Sequence, residues 1–355
     1  MSISFFGIFT VIIFIIGLML KKSKIVSFIQ IIWLWIIMGW NSGGMDFNGN
    51  EIIYFQSGKL NFSGFSSGWL SNIITFICHK FELSFIQYNI LTTGVALIIL
   101  YFLIISETDR PCVAIDLFYL YPFLDSLVQK RYFLGMIFII LGIHFLIKRK
   151  YVNYIVCVLL ALGFHFSFLI FFPLVFIHWF NLKREKYVLI VCLVLELLVI
   201  TQGTTILGHF FSLSKLQYYI FDSSYSSKVI GAVYALWLMT EIFVVDKMLK
   251  NLESNTQTDF VIKLNKIFLI FVPMCYFESA YLRYYRVVII WTYIIICKCK
   301  KGMLINEKKL LVNAQNIYLW IFVLMHLGVN YIIYYSAQYG LKGYLDTVIT
   351  NKLIY

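Results

Sequence analysis

The sequence predicts an all-α fold, a polytopic integral membrane bundle of about twelve transmembrane helices. Three observations carry this. Hydrophobic residues make up 61% of the 355-residue chain and charged residues only 13%, a balance that soluble domains do not carry. The apolar residues form continuous runs near helical spanning length, not the short alternating segments of a β-barrel. Lys and Arg collect in short clusters between those runs, so the net charge of +12 reports topology rather than a nucleic-acid partner.

The apolar runs fall at 3–20, 25–40, 86–105, 111–124, 132–147, 151–180, 187–201, 229–246, 264–278, 287–297 and 312–335. The N-terminus has no early basic region or small-residue cleavage site, so the first run reads as a retained span. The connections at 21–24, 148–150, 183–186, 247–263 and 298–309 are short and basic, and belong on the cytoplasmic side. Those at 41–85 and 202–228 are longer, poor in charge, rich in Gly, Ser and aromatics, and belong outside. The run 151–180 is flanked by basic clusters at both ends, so it crosses an even number of times. As one helix it would be about 45 Å long against a core of roughly 30 Å. A hairpin of two short helices with its outer tip near Gly163 to Ser167 resolves this, although a re-entrant pair also fits. On this map both termini lie outside. About 19 of the 29 basic residues fall in short inner loops and about 10 in longer outer ones. The whole chain reads as one membrane domain, with 41–85 and 202–228 as its extracytoplasmic segments.

Within 41–85, Asp46 and Glu51 sit in a Gly/Asn-rich stretch. Trp69 to Phe85 reads as an amphipathic helix in the membrane interface, with Leu70, Ile73, Ile74, Ile77 and Phe81 at helical spacing. The segment 202–228 carries Tyr218, Tyr219 and Tyr225, rings that suit sugar stacking or a membrane interface.

Arg131 stands where topology gives no reason for positive charge. It follows Gln129 and Lys130 at the outer end of the fifth span, and Arg283 and Arg286 land on the same side. A guanidinium there can snorkel to headgroups, or it can bind phosphate oxygens with a planar fork that lysine lacks. An outward arginine set suggests an anionic ligand at the outer leaflet, such as a lipid pyrophosphate. Arg283 and Arg286 would share a helix face, with Glu278 in reach of one of them. His165 falls at the hairpin tip with Ser167 two residues on, and could accept a proton or cap a helix. Asp116, Glu196 and Glu241 lie inside spans, where carboxylates mark proton paths or hydrogen-bonded helix glue. The remaining histidines have no metal-like spacing, so no metal and no cofactor is expected. The seven cysteines are scattered and read as free thiols. No P-loop, Rossmann fingerprint or nucleophile elbow is present, so energy for any synthesis would arrive with an activated lipid-linked donor.

Val128-Gln-Lys-Arg131-Tyr-Phe-Leu-Gly135, an apolar span, Lys148-Arg-Lys150, and Leu160-Ala-Leu-Gly-Phe-His165-Phe-Ser167 follow in order. Together with Leu282-Arg283-Tyr284-Tyr285 they resemble the EpsG family of Wzy-type polysaccharide polymerases, over about residues 40–300. Tyr132 stands where that family carries Gln, and its first outer-loop element survives only as Ser63-Gly64-Phe65. The resemblance implies a GT-C-like architecture without a bound metal, in the bacterial cytoplasmic membrane with its active site outside. It implies polymerisation of undecaprenyl-pyrophosphate-linked repeat units into capsular or exopolysaccharide, with release of lipid pyrophosphate. Arg131, Arg283 and Arg286 are then expected to bind pyrophosphate, with Gln129, Ser167 and Tyr284 as further substrate contacts. His165 is expected as general base or positioning group, with Asp46 and Glu51 as alternatives for the proton. Expected partners are the lipid-linked oligosaccharide, membrane lipids, and a flippase and chain-length regulator of the same pathway; nucleic acid is not among them. A flippase or transporter, a membrane O-acyltransferase and a structural role in an export complex are the rival readings.

Overall fold

In a computed structural model, the structure describes residues 3–43, 45–56, 68–179, 190, 194, 228–250, 252, 255–277, 281–298, 309–329 and 350–353. These residues are helical almost throughout, with one isolated bridge between Asn41 and Asn351. The expected tyrosine-rich segment 202–227, the basic cluster 183–186, Glu196 and Glu278 lie outside the described residues. The chain divides into two compact units. One comprises 1–175, 293–305 and 326–355; the other comprises 176–292 and 306–325.

The first unit begins with α1 (Ile3–Met19) and α2 (Lys24–Gly39), then two short helices, α3 (Met45–Gln56) and α4 (Trp69–Lys80). The long α5 (Phe85–Glu107) follows, opened by a capping box between Ser84 and Gln87. Next come α6 (Pro111–Leu120), α7 (Phe123–Val128), α8 (Lys130–Ile147) and α9 (Tyr151–Leu162), and then a 3₁₀ helix over Phe166–Trp179. α5 and α8 are long and apolar enough to cross a bilayer. α5 shows what surrounds it. Leu91, Val95, Ile98 and Phe102 form an exposed stripe along one face, whereas Asn89, Thr93 and Glu107 are buried. Apolar outside and polar inside is the arrangement of a helix whose solvent is lipid.

The expected hairpin over 151–180 is present. α9 stops at Gly163, and the Tyr154 hydroxyl donates to the Phe171 carbonyl across the two arms. The second arm winds as 3₁₀ rather than α, and includes Pro173, which has no N–H to donate. α8 packs closely on α9. Gly142 allows this approach, because a Cβ there would come within 3.0 Å of the Cys157 Cβ, and Gly135 admits the second arm, because a Cβ there would overlap the Phe168 ring.

Several expected elements differ. The run 111–124 is not one span but α6 and α7, broken at Tyr121–Pro122. Proline removes a donor and disfavours helix in the residue before it. The segment 41–68 is not wholly loop, since α3 occupies Met45–Gln56. The amphipathic helix ends at Lys80, not Phe85, where the chain turns through Glu82 at φ 54° and the Leu83 N–H returns to the Cys78 carbonyl. Its buried face is Ser71, Thr75 and Cys78, while Ile77 and Phe81 are exposed.

In the second unit, α10 (Lys228–Lys250) packs against α11 (Thr256–Ile267) and, beyond a 3₁₀ turn at Phe268–Ile270, α12 (Phe271–Phe277). α11 lies largely in the expected 247–263 loop. Asn255 caps it by accepting from the Gln257 and Thr258 amides, and Phe260, Val261 and Leu264 are buried. Its low overall hydropathy hid an amphipathic pattern. α13 (Leu282–Cys297) starts five residues before the apolar run, and α14 (Lys309–Leu327) follows. Asn265 joins α11 to α13: its amide donates to Thr292 Oγ1 at 3.3 Å, and the Tyr285 hydroxyl donates to its oxygen at 2.7 Å. Cys78, Cys112, Cys157, Cys275 and Cys297 are buried and form no disulfide among the described residues.

Connections expected on one membrane side gather in the first unit. Glu107, at the end of α5, meets His144 (2.9 Å), Lys148 (3.8 Å) and Lys298 (3.4 Å), all from or beside the expected inner connections. Asn41 accepts from Lys130, Asn351 donates to Ile36, and Leu70 and Ser71 donate to Gly163; these join the segments expected outside. Asn89 and Glu107 are eighteen residues apart on α5, which separates the two groups by about 27 Å.

A Cβ at Gly163 would overlap the Leu70 Cβ and come within 2.9 Å of the Trp69 ring. Gly163→Ala should therefore lift α4 off the hairpin and lower stability by about 1–3 kcal/mol. Thermal unfolding in detergent measures this; an unchanged midpoint would show that α4 is not seated there.

Candidate anion-binding site

Four helices of the first unit converge around Arg131. α3 contributes Asn50, Ile53 and Tyr54; α4 contributes Ser71 and Thr75; α5 contributes Phe85, Tyr88 and Asn89; and α8 contributes Lys130, Arg131 and Leu134. They line a small, open-sided pocket. Two basic side chains and several neutral polar ones line it, with no carboxylate among them.

The backbone explains this meeting. α7 ends at Gln129, whose carbonyl accepts the Phe133 N–H and starts α8. That puts Lys130 and Arg131 in the first turn of α8. The α4 amides of Leu70 and Ser71 donate to the Gly163 carbonyl at 2.8 and 3.0 Å, satisfying donors that a helix start leaves open. Gly68 precedes them at φ 102°, a left-handed conformation that glycine adopts without strain. The small residues Ser71 and Thr75 then line the pocket, one turn apart.

The neighbouring cations have different partners. Lys130 is buried; its Nζ donates to the Asn41 carbonyl at 2.9 Å and lies 5.4 Å from the Phe47 ring centre and 6.0 Å from that of Phe85. Arg131 is half-buried, and its Nε donates to Asn50 Oδ1 at 3.1 Å. Tyr54 seals the floor. Its hydroxyl donates to the Leu83 carbonyl at 2.5 Å, its ring stacks on His79 at 4.3 Å, and burial pushes its pKa up to about 12, so it stays a proton donor.

His165 and Ser167 stand beside this pocket rather than in it. Tyr132, next to Arg131, meets the His165 ring edge-on at 5.9 Å and stacks on Phe168 at 4.6 Å. His165 Nδ1 accepts the Ser167 N–H at 3.2 Å and lies 2.7 Å from Ser167 Oγ. An N–H can only donate, so the neutral ring carries its proton on Nε2. Asp46 is exposed in the first turn of α3, and Glu51 is half-exposed beside Asn50; neither lines the pocket. Gln129 lies at the α7–α8 junction.

Arg283, Tyr284 and Arg286 belong to the second unit, in the first turns of α13. Arg283 is half-exposed, whereas Arg286 is buried. Tyr284 is packed 5.2 Å from the Phe271 ring and 6.1 Å from that of Tyr281. Asp116 is held by Gln30 at 2.7 Å and pressed against Gly17, the setting of helix glue. Asn50, Ser71, Thr75, Tyr88 and Asn89 were not singled out from sequence, since each is an isolated polar residue with no motif around it.

The profile of the EpsG family matches residues 24–341, nearly the whole chain. No curated protein and no solved structure matches it.

Cys78 lies on the buried face of α4, and burial pushes its thiol above the ordinary value of 9.0. A raised pKa means less thiolate at every pH below it. With Cys78 as the sole cysteine, maleimide labelling near pH 8 should be slower than that of a free peptide thiol, and should accelerate only at higher pH. Labelling at the free-thiol rate would mean that the layer of α3, α4 and α5 is open.

Proposed function

The chain belongs to the EpsG family of Wzy-type polymerases, and from that premise we propose that it polymerises lipid-linked oligosaccharide repeat units at the outer face of the bacterial cytoplasmic membrane. Family membership gives the coarser role, a membrane protein of polysaccharide biosynthesis. The finer reading is carried by one observation, the pocket around Arg131, whose described lining holds no carboxylate.

The growing chain on undecaprenyl pyrophosphate is the donor in this reading, and a new lipid-linked unit is the acceptor. The acceptor hydroxyl attacks the anomeric carbon, the bond to the pyrophosphate oxygen breaks, and the hydroxyl proton is lost. Negative charge grows on the departing pyrophosphate. A preorganised guanidinium stabilises that charge without reorganising at the moment of reaction. With Asn50 on Nε, the two terminal amino groups of Arg131 remain as a parallel pair suited to two phosphate oxygens.

His165 takes a positioning role here. Ser167 occupies Nδ1, which leaves the proton of the neutral ring on Nε2 and fixes the orientation of the imidazole. Gln129 and Ser167 support the two ends of this arrangement. Asp46 and Glu51 remain candidates for accepting the hydroxyl proton, Glu51 being the nearer in sequence to Asn50. Arg283, Arg286 and Tyr284 are proposed to serve oxyanion or sugar binding in the second unit, with Arg283 the more accessible of the two arginines. A flippase and a chain-length regulator are the expected pathway partners.

Purified protein supplied with lipid-pyrophosphate-linked repeat unit should give a product ladder without added nucleotide sugar. Arg131→Ala should lower the rate by about a hundredfold or more, and Arg131→Lys should also be poor because the fork is lost. A wild-type ladder from Arg131→Ala would sink the assignment. Movement of lipid between leaflets without a ladder would place the protein among transporters.

A further inference from the structure

We infer that Asn89 is a second donor to the anion held by Arg131, its side-chain amide Nδ2 bonding a phosphate oxygen of the lipid pyrophosphate. This rests on the polymerase reading above and adds a ligand-binding residue to it.

Asn89 lies in the first turns of α5, where it is only 2% exposed. Its Nδ2 is fully enclosed and has no hydrogen-bond partner. Proteins rarely leave a buried amide in that condition, because the group has lost water and gained nothing in return. The same side chain lines the Arg131 pocket, so a bound anion reaches this donor by parting the side chains that now enclose it. An acceptor is therefore wanted at that point.

The neighbours select the kind of acceptor. Arg131 lines the same pocket and commits only its Nε, to Asn50. Its terminal amino groups and the Asn89 amide are donors without described partners. Ser71, Thr75 and Tyr88 add hydroxyls that can donate or accept. Among the described residues, no carboxylate lines the pocket with these donors. A sugar hydroxyl would use one donor and bring a proton of its own. A phosphate group is acceptor-only and carries enough oxygens to engage the arginine fork and the amide together. The site thus fits a phosphate-type oxyanion better than a glycan.

The test uses the full chain, purified into neutral phosphatidylcholine nanodiscs. A short-chain polyprenyl pyrophosphate is titrated by calorimetry against wild type, Asn89→Ala, Asn89→Asp and Arg131→Ala. Asn89→Asp keeps the shape and removes both N–H donors, so it is informative even where Asn89→Ala fails to fold. Asn89→Ala should weaken binding about ten- to a hundredfold, the effect of a hydrogen bond to a charged group. Asn89→Asp should weaken it more, since a carboxylate would face the anion. Wild-type affinity in either folded Asn89 variant, alongside lost binding in Arg131→Ala, would overturn the inference and leave the polymerase reading intact. Wild-type affinity in Arg131→Ala would overturn both.

Discussion

The Gly163 carbonyl is the point on which the pocket depends. It accepts the Leu70 and Ser71 amides in the first turn of α4, and it can do so only because residue 163 has no side chain to hold Leu70 and Trp69 away. That bond fixes α4 above the hairpin tip. α4 then presents Ser71 and Thr75 inward, opposite the start of α8. A second close approach supports the first. Phe168 lies against Gly135 and Tyr132, so the hairpin registers against α8 two turns or less from Arg131. Two glycines and one carbonyl therefore position groups from four helices.

Lipid around the bundle explains why polar groups cluster at the ends of the long helices. Charges in the hydrocarbon region are costly. α5 accordingly keeps Asn89 and Glu107 near its ends and buries both faces of polarity toward other helices. Glu107 gathers His144, Lys148 and Lys298 at one end, where several cations share one carboxylate. At the other end the balance reverses, since the described residues that line the pocket include two basic side chains and no acid. The first end is satisfied within the protein. At the second, the Asn89 amide has no partner among the described residues, which is where the proposed anion would act.

Arg131 stands out in the sequence because its charge falls on the side where the expected topology gives charge no purpose. The hairpin was legible for a similar reason, since basic clusters at both ends of 151–180 allow only an even number of crossings. α11 was not, because its buried residues are diluted by Asp259, Lys263 and Lys266 into an average that reads as loop. α3 was hidden by Gly49 and its neighbouring Asn residues, which weigh against helix until packing of Phe47 and Tyr54 overrides them. Asn89 was silent, as one Asn within a 23-residue apolar helix changes its hydropathy little. Only the fold reveals that its amide is enclosed beside a guanidinium.

The pair Lys130–Arg131 shows how far charge counting goes. Both residues carry the same formal charge and sit one position apart, yet α8 turns them by about 100° relative to each other. Lys130 is drawn inward, where a single carbonyl and two aromatic rings surround its ammonium. A compact ammonium on a flexible stem suits that enclosed position. Arg131 needs only one contact to orient its plane, and Asn50 makes it at Nε. Its terminal amino groups have no partner among the described residues, and the side chain lines the pocket. Exchanging the two residues would keep the charge and lose the arrangement, because lysine has no second edge to offer and arginine would not fit the lysine's aromatic seat without displacing α3.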